Sequence, residues 1–413
     1  MFGFAVLRVF CVSAVIALDV NAAEQAPPYV ASGHCDGLPG IAVVTPPDLC
    51  VGLAAHGFKF PRGLLPLDNG DVLVADMGGW NPRRGSLWLL RKTAAGFERE
   101  RLLDKLDRPN GILLGPDKRI YLGEVGRVTR FDLADVKGSL TDVIGGRSNV
   151  RALPAAGRHP LVSMVFGRDG HLYVNVGSAT DNCETAKQRV PDPNKPCAEA
   201  EGERPRGALR RYEMQWPEGS VKGWRTYAVG LRNSMALAVH PDSGELLQGE
   251  NSRDNIHRRM SDMENDEDLP HDELNVIGAA AHYGWPYCYD EARASPEYPK
   301  ADCSRYRKPL VLLPAHAAPL GMTYYFGSLL PAEYRGHLIV AFHGYRAHGH
   351  RIVAYETDAR GLPTGKTRDI VSGWEATDGR PLGAPTDIKV GSDGALYITE
   401  DRNGTVLRMA PAH

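Results

Sequence analysis

The sequence predicts an all-β, six-bladed β-propeller with long inserted loops stapled by disulfides. Three observations predict it. Six segments repeat one pattern, an apolar strand, a polar turn rich in Asp, Asn and Gly, and one or two further apolar strands. Such turns between alternating strands are hairpin signals. Gly 45 and Pro 30 are scattered between short apolar runs, as a chain of many turns requires. No long helical period follows residue 23, which argues against an α/β barrel. A β-sandwich or a pair of barrels would also use short strands, but here the repeat runs through nearly the whole chain.

The elements follow in order. Residues 1–23 read as a secretory signal peptide: Arg8, an apolar run from Val9 to Leu18, then the small-residue cleavage pattern around Val20-Asn21-Ala22. The run is too short to span a bilayer and Asp19 interrupts it. Export is therefore expected, to the periplasm of a Gram-negative host or outside the cell. Residues 24–54 form an N-terminal extension and 55–411 the propeller. Its units are RGLLPLDNGDVLVADMGG from Arg62, NGILLGPDKRIYLGEVGRVTRFD from Asn110, SMVFGRDGHLYVNVGS from Ser163, MALAVHPDSGELLQGEN from Met235, GMTYYFGSLLPAEYRGHLIVAFHG from Gly321 and TDIKVGSDGALYITEDRNGTVLRM from Thr386. Insertions between units map to loops on one face of a repeat fold.

Cysteine usage agrees with export. Cys11 leaves with the signal peptide, and six remain. Fifteen connectivities are open to six cysteines. Spacing favours Cys35–Cys50, Cys183–Cys197 and Cys288–Cys303, each closing a loop worth about 3 kcal/mol in the chain-entropy picture. No CxxC or paired-His spacing points to zinc. The formal charge of -2 lacks the basic surplus of a nucleic-acid binder, and no phosphate loop or dinucleotide fingerprint is present.

In a propeller, the residues just before each inner strand face the funnel. Here they are Asn110, His159, Arg232, Asn233, Leu320 and Pro385. A histidine at such a place can serve as a general base near neutral pH. A planar guanidinium can stack on a flat ligand and pair with its carboxylates. From Glu250 to Tyr283 the sequence is crowded with Asp, Glu and loop carbonyls, which suit a hard cation such as calcium, although it does not form an EF-hand pattern.

Three segments, HPLVSMVFGRDGHLYVNVGS, GLRNSMALAVHPDSGELLQGEN and DELNVIGAAAHYGWP, give residues 55–410 a resemblance to the soluble quinoprotein glucose/sorbosone dehydrogenases, also called aldose sugar dehydrogenases. The resemblance implies pyrroloquinoline quinone (PQQ) and Ca2+ as cofactors on a six-bladed propeller. It implies that a sugar or aldehyde is oxidised at C1, and that electrons pass on to an acceptor such as a cytochrome or a quinone. It casts His159 as catalytic base and Arg232 as both catalytic and quinone-binding. Asn233, Asn251 and Asn110 become quinone contacts. Ser252 and Arg253 bind a cofactor-bridging calcium through their carbonyls, while Glu273, the carbonyl of Tyr283 and Asp272 form a second calcium site. Arg346, His343 and Arg380 are the candidates for basic groups from the last blades. Two positions depart from the glucose-oxidising pattern, Arg158 before the histidine and Ser178 after the VG of the same blade, each where an acid is expected; Asp181 stands close enough in sequence to substitute. These departures resemble the sorbosone branch more. Two other readings share the fold: a calcium lactonase with ligands among Asn110, Glu124, Asn233 and Asp387, and a binding propeller without catalysis.

Overall fold

The computed structural model describes residue 29 and residues 31–184, 190–344, 346–374 and 382–412. The expected signal peptide, residues 1–23, and Arg380 lie outside the described residues. Among the described residues no helix is long and apolar enough to cross a membrane.

Six sheets make six blades, antiparallel throughout except where Ala281–His282 adds a short parallel strand to the third. Their inner strands are Pro61–Pro66, Ile112–Leu114, Met164–Phe166, Ser234–Val239, Pro319–Tyr324 and Pro385–Val390. Each inner strand lies against that of the next blade, and the sixth returns to the first, so the ring is closed. The second strands, Val72–Asp76, Ile120–Glu124, Leu172–Val176, Leu246–Glu250, Leu338–Phe342 and Leu396–Glu400, are buried along their whole lengths. Sequence order runs from the inner strand outward in the first five blades, whose first four strands pair antiparallel; in the sixth the N-terminal strands supply the outer edge.

The ring is closed by the chain's two ends. Leu49–His56 pairs along Thr405–Pro411, from Thr405 opposite His56 to Pro411 opposite Leu49. Residues 49–54 thus belong to the sixth sheet, and the strands Leu38–Ile41 and Ala31–Cys35 extend it outward. The three disulfides are Cys35–Cys50, Cys183–Cys197 and Cys288–Cys303, as the spacing favoured. The first ties two strands of this sheet together, and the other two close inserted loops.

The core consists of apolar wedges between blades. Leu73, Leu87, Ile120 and Phe131 fill the gap between the first two. Ile339, Ile352, Ile398 and Leu407 fill that between the last two. A polar device recurs in the second, third and sixth blades. Asp117, Asp169 and Asp393 accept from the hydroxyls of Tyr121, Tyr173 and Tyr397 at 3.0–3.1 Å. Each also pairs with an arginine of the third strand, Arg130, Arg211 or Arg408. The turn residue two before each Asp is Gly115, Gly167 or Gly391, where a Cβ would stand 2.4–2.5 Å from the tyrosine ring. The G-x-D-x-x-x-Y spacing of these units is thus a packing requirement.

Candidate functional site

His159 sits where the chain enters the third blade. Its backbone N–H bonds to Ser178 O at 3.2 Å and that of Arg158 to Ala179 O at 2.8 Å. Arg206 straps both sides of this approach, donating to Gly177 O at 3.0 Å and Ala156 O at 2.6 Å. Gly177 is required by proximity, since a Cβ there would meet the His159 Cβ at 2.6 Å.

The hydrogen bonds fix the tautomer. Ser178 Oγ donates its single proton to Thr180 O at 2.6 Å. At 2.8 Å from His159 Nδ1 it can then only accept, so Nδ1 carries the proton and Nε2 the lone pair. Nε2 has no hydrogen-bond partner among the described residues. Burial, and then the charges of Arg232 and Arg158, hold the His159 pKa well below the usual histidine value. The imidazole is therefore neutral at neutral pH, with a free basic nitrogen.

Arg232, only 3 % exposed, stands behind it. It donates to Asp181 O at 3.1 Å, to Asn251 O at 2.7 Å, to the Asp181 carboxylate, and to Asp254 Oδ2 at 3.3 Å. Asp254 also takes Arg158 at 2.8 Å. Burial opposes ionisation of Asp254, but Arg232 and Arg158 outweigh it and hold the carboxyl below its usual range. Asp181 thus engages Arg232, and more distantly Arg158 at 3.8 Å. The suggestion that it substitutes for the acid beside the histidine is corrected: a serine, Ser178, occupies that place.

Asn233 and Asn251 flank the guanidinium. Each has a buried side-chain carbonyl oxygen without a hydrogen-bond partner. Such an atom is costly unless a donor or cation completes it. Below Ser252 and Arg253 lies a cavity of about 20 Å³, room for one water or ion, which Glu250, Glu273, Tyr283 and Asn182 also line. Asn182 Oδ1 is again a buried, unpartnered acceptor. Burial pushes Glu250 up to about 7. Burial, and then the neighbouring charge of Glu250, raises Glu273 well above the carboxylate range. Two such carboxyls and an orphaned amide oxygen are an oxygen donor set suited to a hard cation.

Asp272, pushed up to about 7 by burial, has both oxygens committed. They accept from Ser252 N at 2.8 Å and Ala318 N at 2.6 Å. It braces the backbone whose carbonyls were expected to bind calcium. The Tyr283 hydroxyl donates to Val276 O at 2.6 Å and so fixes the residue's own backbone. The Arg253 side chain turns away to Glu297 at 2.5 Å.

Arg346 joins the same charged network from the fifth blade. It donates to Asp266 Oδ1 at 2.9 Å. His316 donates to the carbonyl of that aspartate at 2.7 Å and approaches Asp254 at 3.9 Å. Asn110 is held apart from this group. It bonds to Val162 O at 3.1 Å and to Arg62 at 3.3 Å. Arg62 pairs with Asp401 at 2.7 Å, and His343 meets the other oxygen of that aspartate at 2.9 Å. The channel here narrows to a cavity of about 40 Å³ between Arg62, Asn110, Leu320 and Asp387.

Sequence reasoning missed Glu250, Asp254, Arg62 and Asp401. Glu250 was legible as the acid ending a second strand, where Asp76, Glu124 and Glu400 stand in other blades. The others are joined only by folding. The proposed lactonase ligands do not converge as free groups: Glu124 takes Asp107 N and Arg127, and Asp387 takes Leu64 N and Lys389.

Fold and site together define a six-bladed propeller whose funnel presents a neutral imidazole beside a buried guanidinium and a small carboxyl-lined cavity. The chain belongs to the Glucose / Sorbosone dehydrogenase family, whose model matches residues 118–408. Among solved structures it is similar to the PQQ domain of pyranose dehydrogenase from Coprinopsis cinerea in its holo form (TM-score 0.69, 20 % identity, covering 91 % of this chain and 99 % of that one). It is also similar to the PQQ-bound aldose sugar dehydrogenase of Streptomyces coelicolor (0.58, 18 %, 89 % and 100 %) and the soluble aldose sugar dehydrogenase of Escherichia coli in the apo form (0.58, 18 %, 88 % and 100 %). At these identities the likeness is one of fold. An uncharacterized protein of Borreliella burgdorferi is 30 % identical over 189 residues, 44 % of this chain. The match spans about half the length of that curated relative, 48 %.

Proposed function

We propose that this chain is an exported quinoprotein that oxidises a sugar or related aldehyde at C1, with His159 as general base. The observation that carries the reading is the His159–Ser178–Thr180 chain of bonds, which leaves Nε2 unprotonated next to a buried cation. Family membership and a fold shared with PQQ-containing structures support it.

The residues present fit the cofactors. Arg232 supplies positive charge, Asn233 and Asn251 offer unpartnered amide oxygens, and Asn110 and Arg346 border the funnel. Ser252 and Arg253 would hold calcium by their carbonyls, with Asp272 bracing them, and Glu273 and Tyr283 would hold a second ion. When bound, the quinone supplies the hydride acceptor that no side chain can provide, and calcium its Lewis acidity. The chain's own part is proton transfer and electrostatics. His159 Nε2 takes the proton of the anomeric hydroxyl, and Arg232 stabilises negative charge developing beside it. Ser178 keeps the imidazole in the receptive tautomer. In this proposal the chain stands nearer the sorbosone branch, a reading supported by Arg158 and Ser178 at positions where acids are expected.

The test is reconstitution. Chelator-stripped protein should change the quinone absorbance only when calcium is present, and a sugar or sorbosone should then bleach it and reduce a dye. His159→Ala should still bind quinone but turn over about a hundredfold or more slowly. Absence of quinone binding, or full turnover by the alanine variant, would refute the proposal.

A further inference from the structure

A cavity of about 460 Å³ opens at Arg158, the residue before the base, and is lined in part by Thr180, Asp181, Asp254, Arg258 and Glu297. Its size is within the usual range for small-molecule sites. It shares walls with the site already described, since Arg158 precedes His159 in the chain and Asp181 holds Arg232.

The charges in the walls are unevenly matched. Asp254 is shared by Arg158 and Arg232, and Glu297 by Arg253 and Arg259. Asp181 adds no new partner, since its cations are again Arg232 and Arg158. Arg258 also lines the cavity, is exposed, and forms no ion pair among the described residues. The remaining acid on the wall, Glu184, spends an oxygen on Asn182 N at 2.8 Å. At the mouth, the Arg158 side chain is 47 % exposed although it pairs with Asp254 at 2.8 Å and stands 3.8 Å from Asp181. A ligand entering here therefore meets the guanidinium of Arg258, unpaired among the described residues, and the exposed side of Arg158, while Asp181, Asp254 and Glu297 are already paired with arginines. A neutral polyol would leave the charge of Arg258 unused.

We propose that this cavity receives a sugar bearing a carboxylate, held by Arg258 and Arg158 with its anomeric carbon toward His159. A planar carboxylate suits a guanidinium, and the pairing is charge-assisted. The inference rests on the oxidoreductase reading and names its substrate class. For a hexuronate hemiacetal the C1–H bond breaks, its electron pair and hydrogen pass to the quinone as hydride, and the anomeric O–H proton passes to His159. A C1=O bond forms and the product is the lactone of the corresponding diacid.

The test compares D-galacturonate with D-galactose, which differ by a carboxylate in place of a CH2OH group. Calorimetric titration of the cofactor-free protein at low salt should show binding of the uronate at least about tenfold tighter than of the hexose, weakening as salt rises. The quinone-loaded protein should keep that preference and carry it into kcat/KM. Arg258→Gln, a change at an exposed side chain, should reduce the ratio of the two affinities about tenfold. Equal affinities, or an unchanged ratio in Arg258→Gln, overturn the proposal. So does loss of uronate binding on loading the quinone, because the cations then serve the cofactor's own carboxylates. Absence of turnover with every sugar, with the binding preference intact, would refute the oxidoreductase reading and leave the cavity assignment standing.

Discussion

At the residue scale, the pair His159 and Ser178 decides how basic the site is. A carboxylate beside Nδ1 would stabilise the imidazolium; a hydroxyl that is itself committed to Thr180 O only orients the ring. With burial, Arg232 and Arg158 all disfavouring the proton, His159 stays neutral far into the acid range. The sign follows: a base with a depressed pKa loses activity only when the pH falls below that pKa, so the acid limb of the rate profile should lie well below the usual histidine value of about 6.5. Ser178→Asp should move that limb to higher pH by one unit or more, as a neighbouring carboxylate does. A pH profile of kcat/KM for both proteins checks this. A limb near 6.5 in the wild type, or one that does not move in the variant, would remove Ser178 from its assigned role.

At the element scale, one comparison between blades explains where the base could be placed. In four blades the second strand ends in a carboxylate that accepts the backbone N–H groups of the entering loop. Asp76 takes Lys59 and Phe60, Glu124 takes Asp107, Glu250 takes Asn233, and Glu400 takes Ala384. The third blade has Val176 there, followed by Gly177, and the entering loop closes on the glycine until His159 lies against it. Arg206 supplies the strap that the carboxylate provides elsewhere. Gly177→Ala should therefore leave the propeller folded but push His159 aside, lowering kcat about a hundredfold with little change in melting temperature. Unchanged kcat in that variant would mean that the loop tolerates the shift.

Much at this scale was legible in the sequence. Repeated polar turns rich in Asp, Asn and Gly gave six units, and the second, third and sixth carry the G-x-D-x-x-x-Y requirement seen in the structure. The local pairs of cysteines gave the three bonds. Local spacing could also assign His159, Arg232 and Asn233 to the funnel, because each precedes an inner strand, whereas Asn251 came only from the family resemblance. It could not find Asp254 as the link between Arg158 and Arg232, or the Arg62–Asp401 pair. Those partners are 96, 22 and 339 residues apart, and only ring closure brings the last pair together. Nor could it tell that Asp181 serves the arginine while a serine serves the histidine, since both acceptors follow the same strand within a few residues.

At the scale of the whole molecule, the funnel holds buried charge that the folded state must neutralise. Glu250 and Asp272 are pushed up to about 7 by burial, and burial also raises Glu273 well above its ordinary value. Their unfolded values are about 4.3 for Glu and 3.9 for Asp. Between those values and 7 the folded protein binds more protons than the unfolded chain, so without a cation stability falls as pH rises through this window. The depressed pKa of His159 gives the opposite slope, and only below about 6.5. A bound calcium would replace the protons: it favours ionised carboxyls, so its stabilisation should grow as pH rises. Chelated protein should therefore melt several degrees lower at pH 8 than at pH 5.5, and calcium should restore more of that loss at pH 8. Glu250→Gln, which removes one of the titrating groups and keeps its shape, should flatten both trends. A calcium shift of equal size at the two pH values, or no shift at all, would mean that these carboxyls remain protonated in the working protein and hold no ion. The cavity that Glu250 and Glu273 line would then be a structural void beside Arg232, and the oxygen atoms of Asn182, Asn233 and Asn251 would need water or another donor to satisfy them.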